Sequence, residues 1–273
     1  MARVRTGAFA AVAAALVAGG CGAQALEDER DAQRRIESSP PPAVVEGGGR
    51  LASAPVPARC ESGRVARLGD GRVAYAARAK GEVAAYRKPG GGRAHTFERR
   101  NANGVRTVFG VLGVVRDADC RPAWYRVQLP VRPNGATGWV RARTVTLFRV
   151  RTRIEIDLGE RRIDFFRNGR RILRVPAAIG KAGTPTPSGR YYVNQRLLSG
   201  DPSGPFGPGA IGISAFSPVL TGWTQGGPVA IHGTNDPGSI GQAASYGCLR
   251  IENRHVERML RANPEGTPVL IRA

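Results

Sequence analysis

Apolar and polar positions change rhythm several times along this 273-residue chain. The first rhythm is a single apolar run, Ala8 to Ala18, placed after Arg3 and Arg5 and before Gly19, Gly20 and Cys21. A basic start, an apolar core of about a dozen residues and small residues at its end have the form of an export signal. The run is too short to span a bilayer, which takes roughly 20 apolar residues. From Gly22 to about Arg64 the chain is polar, then rich in Pro and Gly, as in Ser38-Ser39-Pro40-Pro41-Pro42 and Gly47-Gly48-Gly49. Such a stretch buries little apolar surface and reads as a tether, with one short helix expected around Leu26 to Ile36.

Short strand-like runs separated by Gly, Pro and Asn turns then begin, and they continue to the C-terminus. Arg72–Ala76, Val83–Tyr86, Val105–Val115, Trp124–Leu129 and Gly138–Val140 predict a first β-rich domain over about 65–148. Its last part, Trp124-Tyr125-Arg126-Val127, then Pro133-Asn134-Gly135, then Gly138-Trp139-Val140, resembles the end of bacterial SH3-like domains, small β-barrels that accompany wall enzymes. That resemblance implies either a wall-polymer binder or a spacer. From Val150 the alternation sharpens: Ile154-Glu155-Ile156-Asp157-Leu158, then Ile163-Asp164-Phe165-Phe166, then Ile172-Leu173-Arg174-Val175. The Asn168-Gly169 pair between the last two is a strong hairpin signal. Arg190–Asn194 and Pro228–Ile231 read as further strands. One helix is expected, Glu252 to Ala262, with Asn253 as its cap and Pro264 beyond its end. Residues 150–273 are therefore read as a second, mostly β domain.

Composition adjusts this picture in two ways. Gly 37 and Pro 20 agree with turn-rich β structure. A formal charge of +20, almost all from Arg, is spread along the whole chain without a compact basic block interleaved with aromatics. Either an anionic wall or membrane surface or a merely Arg-rich composition explains it; a nucleic-acid partner is not indicated.

The cysteines carry the chemistry. Cys21 directly follows Ala18-Gly19-Gly20, which resembles a bacterial lipobox, although Leu is usual where Ala18 stands. The resemblance implies lipidation of Cys21 and an extracytoplasmic, membrane-anchored protein. In an oxidising compartment Cys60 and Cys120 are candidates for a disulfide. Cys248 is then the odd thiol, a candidate reactive group. It follows Gly247, and His232 at the end of a predicted strand is followed by Gly233. A thiol becomes a nucleophile when a neighbouring imidazole takes its proton, and the imidazole needs an acceptor on its other nitrogen. A His and a Cys separated by fifteen residues are more often unrelated, and a free cysteine is commonly a buried small hydrophobe. His95, His232 and His255 lack zinc-like spacing, so neither metal nor cofactor is expected.

The wider pattern resolves this. His232-Gly233-Thr234-Asn235, Ser239-Ile240-Gly241 and Ser245-x-Gly247-Cys248-Leu249-Arg250 resemble the signature of the YkuD-like L,D-transpeptidases. The upstream run from Ile179-Gly180-Lys181 to Thr184-Pro185-Thr186-Pro187-Ser188-Gly189 matches the same family. The resemblance covers roughly Thr152 to Ala273. It implies a β-sandwich-like catalytic fold, with Cys248 as nucleophile and His232 as base oriented by the Gly233 carbonyl. It also implies an oxyanion site from Ser245 and the amides of Gly247 and Cys248, and Arg250 as partner of a substrate carboxylate. The implied substrate is a peptidoglycan stem tetrapeptide that loses its terminal D-Ala, and the enzyme is expected to be a monomer. An amine of a second stem makes a cross-link, water makes the enzyme a carboxypeptidase, and a protein amine gives wall attachment. Most members have His where this chain has Tyr246, which is expected to alter substrate placement rather than abolish activity. Tyr246, Thr234 and Trp223 are candidate groove residues, and the Ser199–Gly209 loop is a candidate lid. Three other readings fit less well. A sortase-like enzyme has its His far upstream of the Cys, papain-like wall peptidases place Cys before His, and a non-catalytic wall-binding lipoprotein would not need the intact motif.

Overall fold

The computed structural model describes residues 51–55, 61–222 and 227–273. The leader, most of the tether with its expected helix, Cys21, Cys60 and Trp223 lie outside the described residues.

The chain is mostly β. Its first part forms β1 (Val65–Arg67), β2 (Ala74–Ala79), β3 (Val83–Tyr86), β4 (Arg93–Phe97), β5 (Val108–Arg116), β6 (Pro122–Gln128), β7 (Thr137–Arg141) and β8 (Val145–Val150). They pair in the order β4-β3-β7-β6-β5-β2-β8, and β1 joins β5. Five of these eight match runs expected from alternation. β1 and β4 were missed because nearly all their residues are exposed, so they carry no apolar period. β8 was missed because it lies where the two rhythms meet. Phe109, Val114, Val127 and Val140 fill the core of this sheet. Cys120 is disulfide-bonded.

The second part begins with a meander of β9 (Thr152–Asp157), β10 (Arg162–Arg167) and β11 (Arg170–Pro176). In β9 buried Thr152, Ile154 and Ile156 alternate with half-exposed Arg153, Glu155 and Asp157, the period-two pattern of a strand with one buried face. Asn168 (φ 51°) and Gly169 (φ 81°) turn β10 into β11 with two consecutive left-handed residues, the geometry an Asn-Gly pair favours. There follow β12 (Ile179–Gly180), β13 (Gly189–Leu198), β14 (Gly209–Phe216), β15 (Pro228–His232), β16 (Ala243–Ser245), β17 (Leu249–Arg250), α1 (Asn253–Ala262) and β18 (Pro268–Arg272). The sheet runs β11-β10-β9-β18-β13-β14-β15-β17, with β12 and β16 paired separately. β13 is shared: Gly189–Tyr192 pair with β18, and the residues from Val193 onward pair with β14. Val256, Met259 and Leu260 of α1 seal the core formed by Ile154, Ile211, Ile231 and Leu249. Asn253 is not the helix cap. Glu252 holds that place without a capping side-chain bond, and Asn253 is the first helical residue with its side chain engaged elsewhere.

The two sheets are joined by specific contacts. Tyr192 donates its hydroxyl to Val108 O at 3.0 Å in a buried position, and that burial raises its pKa. A Cβ on Gly110 would come within 3.0 Å of the Tyr192 ring, and one on Gly266 within 2.1 Å of Ala76 Cβ, so glycine permits the close approach at both points. Asn134 clamps Phe216 at both backbone atoms, donating to its O at 2.8 Å and accepting from its N at 2.9 Å. Gln195 Oε1 accepts from Asn101 and Asn103, and Gln128 donates to Arg190 O.

Candidate active site

β15 and β17 run parallel, with Ile231 opposite Leu249 and His232 opposite Arg250. This register carries Cys248, the residue before β17, to the level of Ala230, whose backbone hydrogen-bonds toward the thiol. Residues sixteen positions apart in sequence are thus brought to one sheet edge. His232 is 4% exposed. Its Nδ1 lies 2.6 Å from Gly233 O. A carbonyl oxygen only accepts, so Nδ1 carries the hydrogen and Nε2 is left with its lone pair. The Phe206 ring, from the Ser199–Gly209 loop, packs against the imidazole at 4.8 Å between centroids.

Burial lowers His232 to about 4; the Gly233 hydrogen bond opposes this, and the nearby Arg250 charge adds to it. Burial likewise pushes the Cys248 thiol up, against smaller downward effects from the Ala230 backbone and Arg250. Burial thus favours the uncharged form of each group. Part of Cys248 remains open to solvent, which gives a reactant access, and it is the free cysteine among the described residues.

The turn that presents Cys248 is held from both sides. Ser245, 1% exposed, donates to Cys248 O at 2.5 Å and accepts from Gly247 N at 3.1 Å. The Gly247 amide, one of the two amides implied as oxyanion donors, is therefore already engaged by Ser245. Gly247 has φ 114°, a conformation that favours glycine. From the other side Thr184 Oγ1 donates to Ser245 O and Thr186 Oγ1 donates to Gly247 O at 2.9 Å. Thr186 Oγ1 also accepts from Gly180 N. A Cβ on Gly180 would lie 2.3 Å from Thr184 O, so the Gly180-to-Thr186 loop folds tightly onto itself before it grips the turn. In the sequence this run is a turn-rich family match; two threonines four and six residues after β12, alternating with prolines, were the available signal.

Arg250 points a 24% exposed side chain toward the same edge. Its Nη1 is 3.4 Å from Ser239 Oγ and 3.9 Å from Asp236 Oδ2, long contacts that leave the guanidinium available to a stronger acceptor. The Tyr246 ring carries Lys181 Nζ at 3.8 Å from its centroid, a cation–π contact beside the cysteine turn. Thr234 is buried, and its backbone N donates to Asn253 Oδ1. Phe206, Lys181, Thr184, Thr186 and Asn253 are thus site residues that sequence reasoning did not place there.

Comparison with known proteins agrees with this arrangement. Residues 151–271 match the family model described as YkuD, L,D-transpeptidase catalytic domain. The chain is 35% identical over 118 residues to the provisionally assigned L,D-transpeptidase YkuD of Bacillus subtilis (strain 168), a match covering 43% of this chain and 64% of that protein. A second Bacillus subtilis protein, the provisionally assigned L,D-transpeptidase YqjB, is 35% identical over 104 residues, covering 34% of this chain and 56% of the relative. The chain thus spans less than two thirds of the length of these relatives. Among solved structures, an L,D-transpeptidase from Mycobacterium smegmatis aligns at 18% identity and a TM-score of 0.38, over 55% of this chain and 90% of that one. L,D-transpeptidase 3 from Mycobacterium tuberculosis with a faropenem-derived adduct aligns at 17% identity and a TM-score of 0.38, over 52% of this chain and 76% of that one. Likenesses of that size carry no argument about activity. By family model and curated relatives, residues 151–271 of this chain are similar to YkuD-type L,D-transpeptidase catalytic domains.

Proposed function

We propose that this protein is a cysteine-dependent L,D-transpeptidase that cross-links or remodels peptidoglycan outside the cytoplasm. The observation that carries the proposal is the His232 Nδ1 contact to Gly233 O, which leaves Nε2 as a base on the edge that presents Cys248. In the first half-reaction Nε2 takes the thiol proton as Sγ attacks the carbonyl before the terminal D-Ala of a tetrapeptide stem. The tetrahedral oxyanion is received by the Cys248 amide, and Ser245 keeps the turn in shape. The C–N bond breaks, the imidazolium returns its proton to the leaving D-Ala nitrogen, and a thioester remains. In the second half an amine of another stem attacks the thioester, His232 takes its proton, and Sγ leaves to be reprotonated. Burial favours the neutral form of each group, so in this reading proton transfer accompanies attack.

Arg250 is the substrate-carboxylate partner in this reading, by a two-point guanidinium contact. Tyr246, Thr234 and Trp223 line the donor groove. The first β sheet is an SH3-like domain, and Cys60 is the disulfide partner of Cys120. A lipid on Cys21 anchors the protein, with the tether reaching the wall; anionic wall polymers are favoured surroundings for a chain of charge +20. The test is incubation with a disaccharide-free tetrapeptide stem, with chromatography of the products. D-Ala release that disappears in Cys248→Ala supports the reading, and release that persists in Cys248→Ala contradicts it.

A further inference from the structure

The acceptor of the His232 hydrogen is one end of a peptide unit whose other end is also held. Gly233 O receives Nδ1–H at 2.6 Å. Across the same C–N bond, Thr234 N donates to Asn253 Oδ1 at 2.8 Å. The peptide group is planar and delocalised, so an acceptor on its N–H increases the negative charge on its oxygen, and the two hydrogen bonds strengthen each other. Asn253 stands at the start of α1, where its side chain is free to turn toward the β15 exit, because Glu252 occupies the cap position.

The surrounding backbone is cut to fit this one side chain. A Cβ on Gly233 would lie 2.3 Å from Asn253 Oδ1. One on Gly207 (φ 56°) would lie 2.2 Å from the same atom and 2.9 Å from Thr234 N. Gly233 N in turn donates to Gly209 O at 3.3 Å. The exit of β15, the loop before β14 and the start of α1 therefore converge on the Gly233–Thr234 peptide, with Asn253 at the meeting point.

We infer that Asn253 is a positioning residue for the catalytic histidine, acting through the Gly233–Thr234 peptide to fix the tautomer and orientation of His232. Its role is that of the orienting group in a nucleophile–base–orienter chain, with a peptide unit interposed between orienter and base. The catalytic consequence rests on the cysteine acyl-transfer reading; the coupling between Asn253 and His232 does not. The charged group that acts on His232 is Arg250 on β17, with Asp236 beside it, and Arg250 acts on Cys248 as well. The Ser199–Gly209 loop packs the neutral Phe206 ring against the imidazole.

Two variants of the full chain test the inference with two readouts. Asn253→Ala removes the acceptor. Asn253→Asp keeps an oxygen in place and adds negative charge, and an acidic residue at the first helical position is favourable for folding. The first readout is imidazole NMR, tractable because the chain has 3 histidines. The second is the rate at which a carbapenem acylates the protein, followed by intact mass. In Asn253→Ala the Nδ1–H of His232 is expected to exchange faster and acylation to slow by about tenfold or more, the scale of a misoriented base. In Asn253→Asp the rate is expected to return close to wild type, and the His232 pKa to rise above its wild-type value because the added charge favours imidazolium. A purely structural role would not move that pKa. Wild-type exchange and acylation in Asn253→Ala would overturn the inference. So would a folded Asn253→Asp whose rate stays low and whose His232 titration is unmoved. If carbapenem labelling proves independent of Cys248, the proposed function fails, while the NMR comparison still decides the coupling.

Discussion

The β9–β11 meander and the corner where β15 meets β17 belong to one sheet, yet they are built by opposite means. The meander is regular: three strands of six or seven residues, antiparallel, joined at one end by a turn whose two left-handed residues are Asn168 and Gly169. Its stability comes from alternation, with Ile154, Ile156, Ile163 and Phe165 buried on one face. At the corner β12, β16 and β17 have only two or three residues each, too few for strand pairing to be self-supporting. Side chains hold the backbone there instead, through Ser245, Thr184, Thr186 and Asn253. The lesson is that the turn carrying Cys248 follows a backbone path that a regular ladder does not supply. The substitute is a set of hydroxyl and amide clamps reaching from residues as far as 61 positions away.

The sharpest way to break this contrast is to remove a clamp. Thr186→Val keeps the shape but leaves Gly180 N and Gly247 O without their buried partner. Each such loss costs about 1–3 kcal/mol. Carbapenem acylation of Cys248 is expected to slow by about tenfold or more as the turn loosens, while chemical denaturation shows a destabilisation of the same few kcal/mol. Unchanged acylation would mean that the threonine clamp does not shape the turn.

Acid sharpens the contrast more finely, because each region holds a different titratable group. His232 at the corner has its folded pKa lowered by burial from 6.5 to about 4. The unfolded chain therefore binds the extra proton first, and stability falls as pH drops from about 6.5 to about 4. The loss from this group is on the order of 3 kcal/mol at most. Asp164 in the meander is lowered from 3.8, chiefly by its hydrogen bonds from Arg174. Its contribution is present above 3.8 and is lost only as pH falls further, through its folded pKa. Thermal melts across pH are thus expected to show two windows. His232→Gln should flatten the upper one, apart from a smaller part due to His255, which burial also lowers. Asp164→Asn should flatten only the lower one. A single window abolished by either variant would contradict the separation.

The same contrast explains what could be read from the sequence. Ile154-Glu155-Ile156 and the Asn168-Gly169 pair announced the meander because strand period and turn chemistry are local properties. His232, Cys248 and Arg250 were legible as a motif, although nothing in their spacing shows that β15 and β17 pair in parallel. Asn253 was misread as a helix cap because its type and position suit one; its real partner, Thr234 N, is 19 residues upstream. The engagement of the Gly247 amide by Ser245 was equally hidden, since a family pattern names donors without saying which are occupied. β1 and β4 escaped because exposed strands at the margin of a sheet have no buried face to mark them. The contacts of Tyr192, Asn134 and Gln195 that join the two parts of the chain were invisible for a similar reason: each joins residues more than 80 apart.

The most direct test of the central claim is intact-protein mass spectrometry after incubation with a carbapenem, comparing the wild type with Cys248→Ala and His232→Gln. The account predicts one covalent adduct on the wild type, none on Cys248→Ala, and greatly slowed addition to His232→Gln. An adduct that survives Cys248→Ala, or folded wild-type protein that remains unlabelled, would contradict a nucleophilic Cys248 activated by His232.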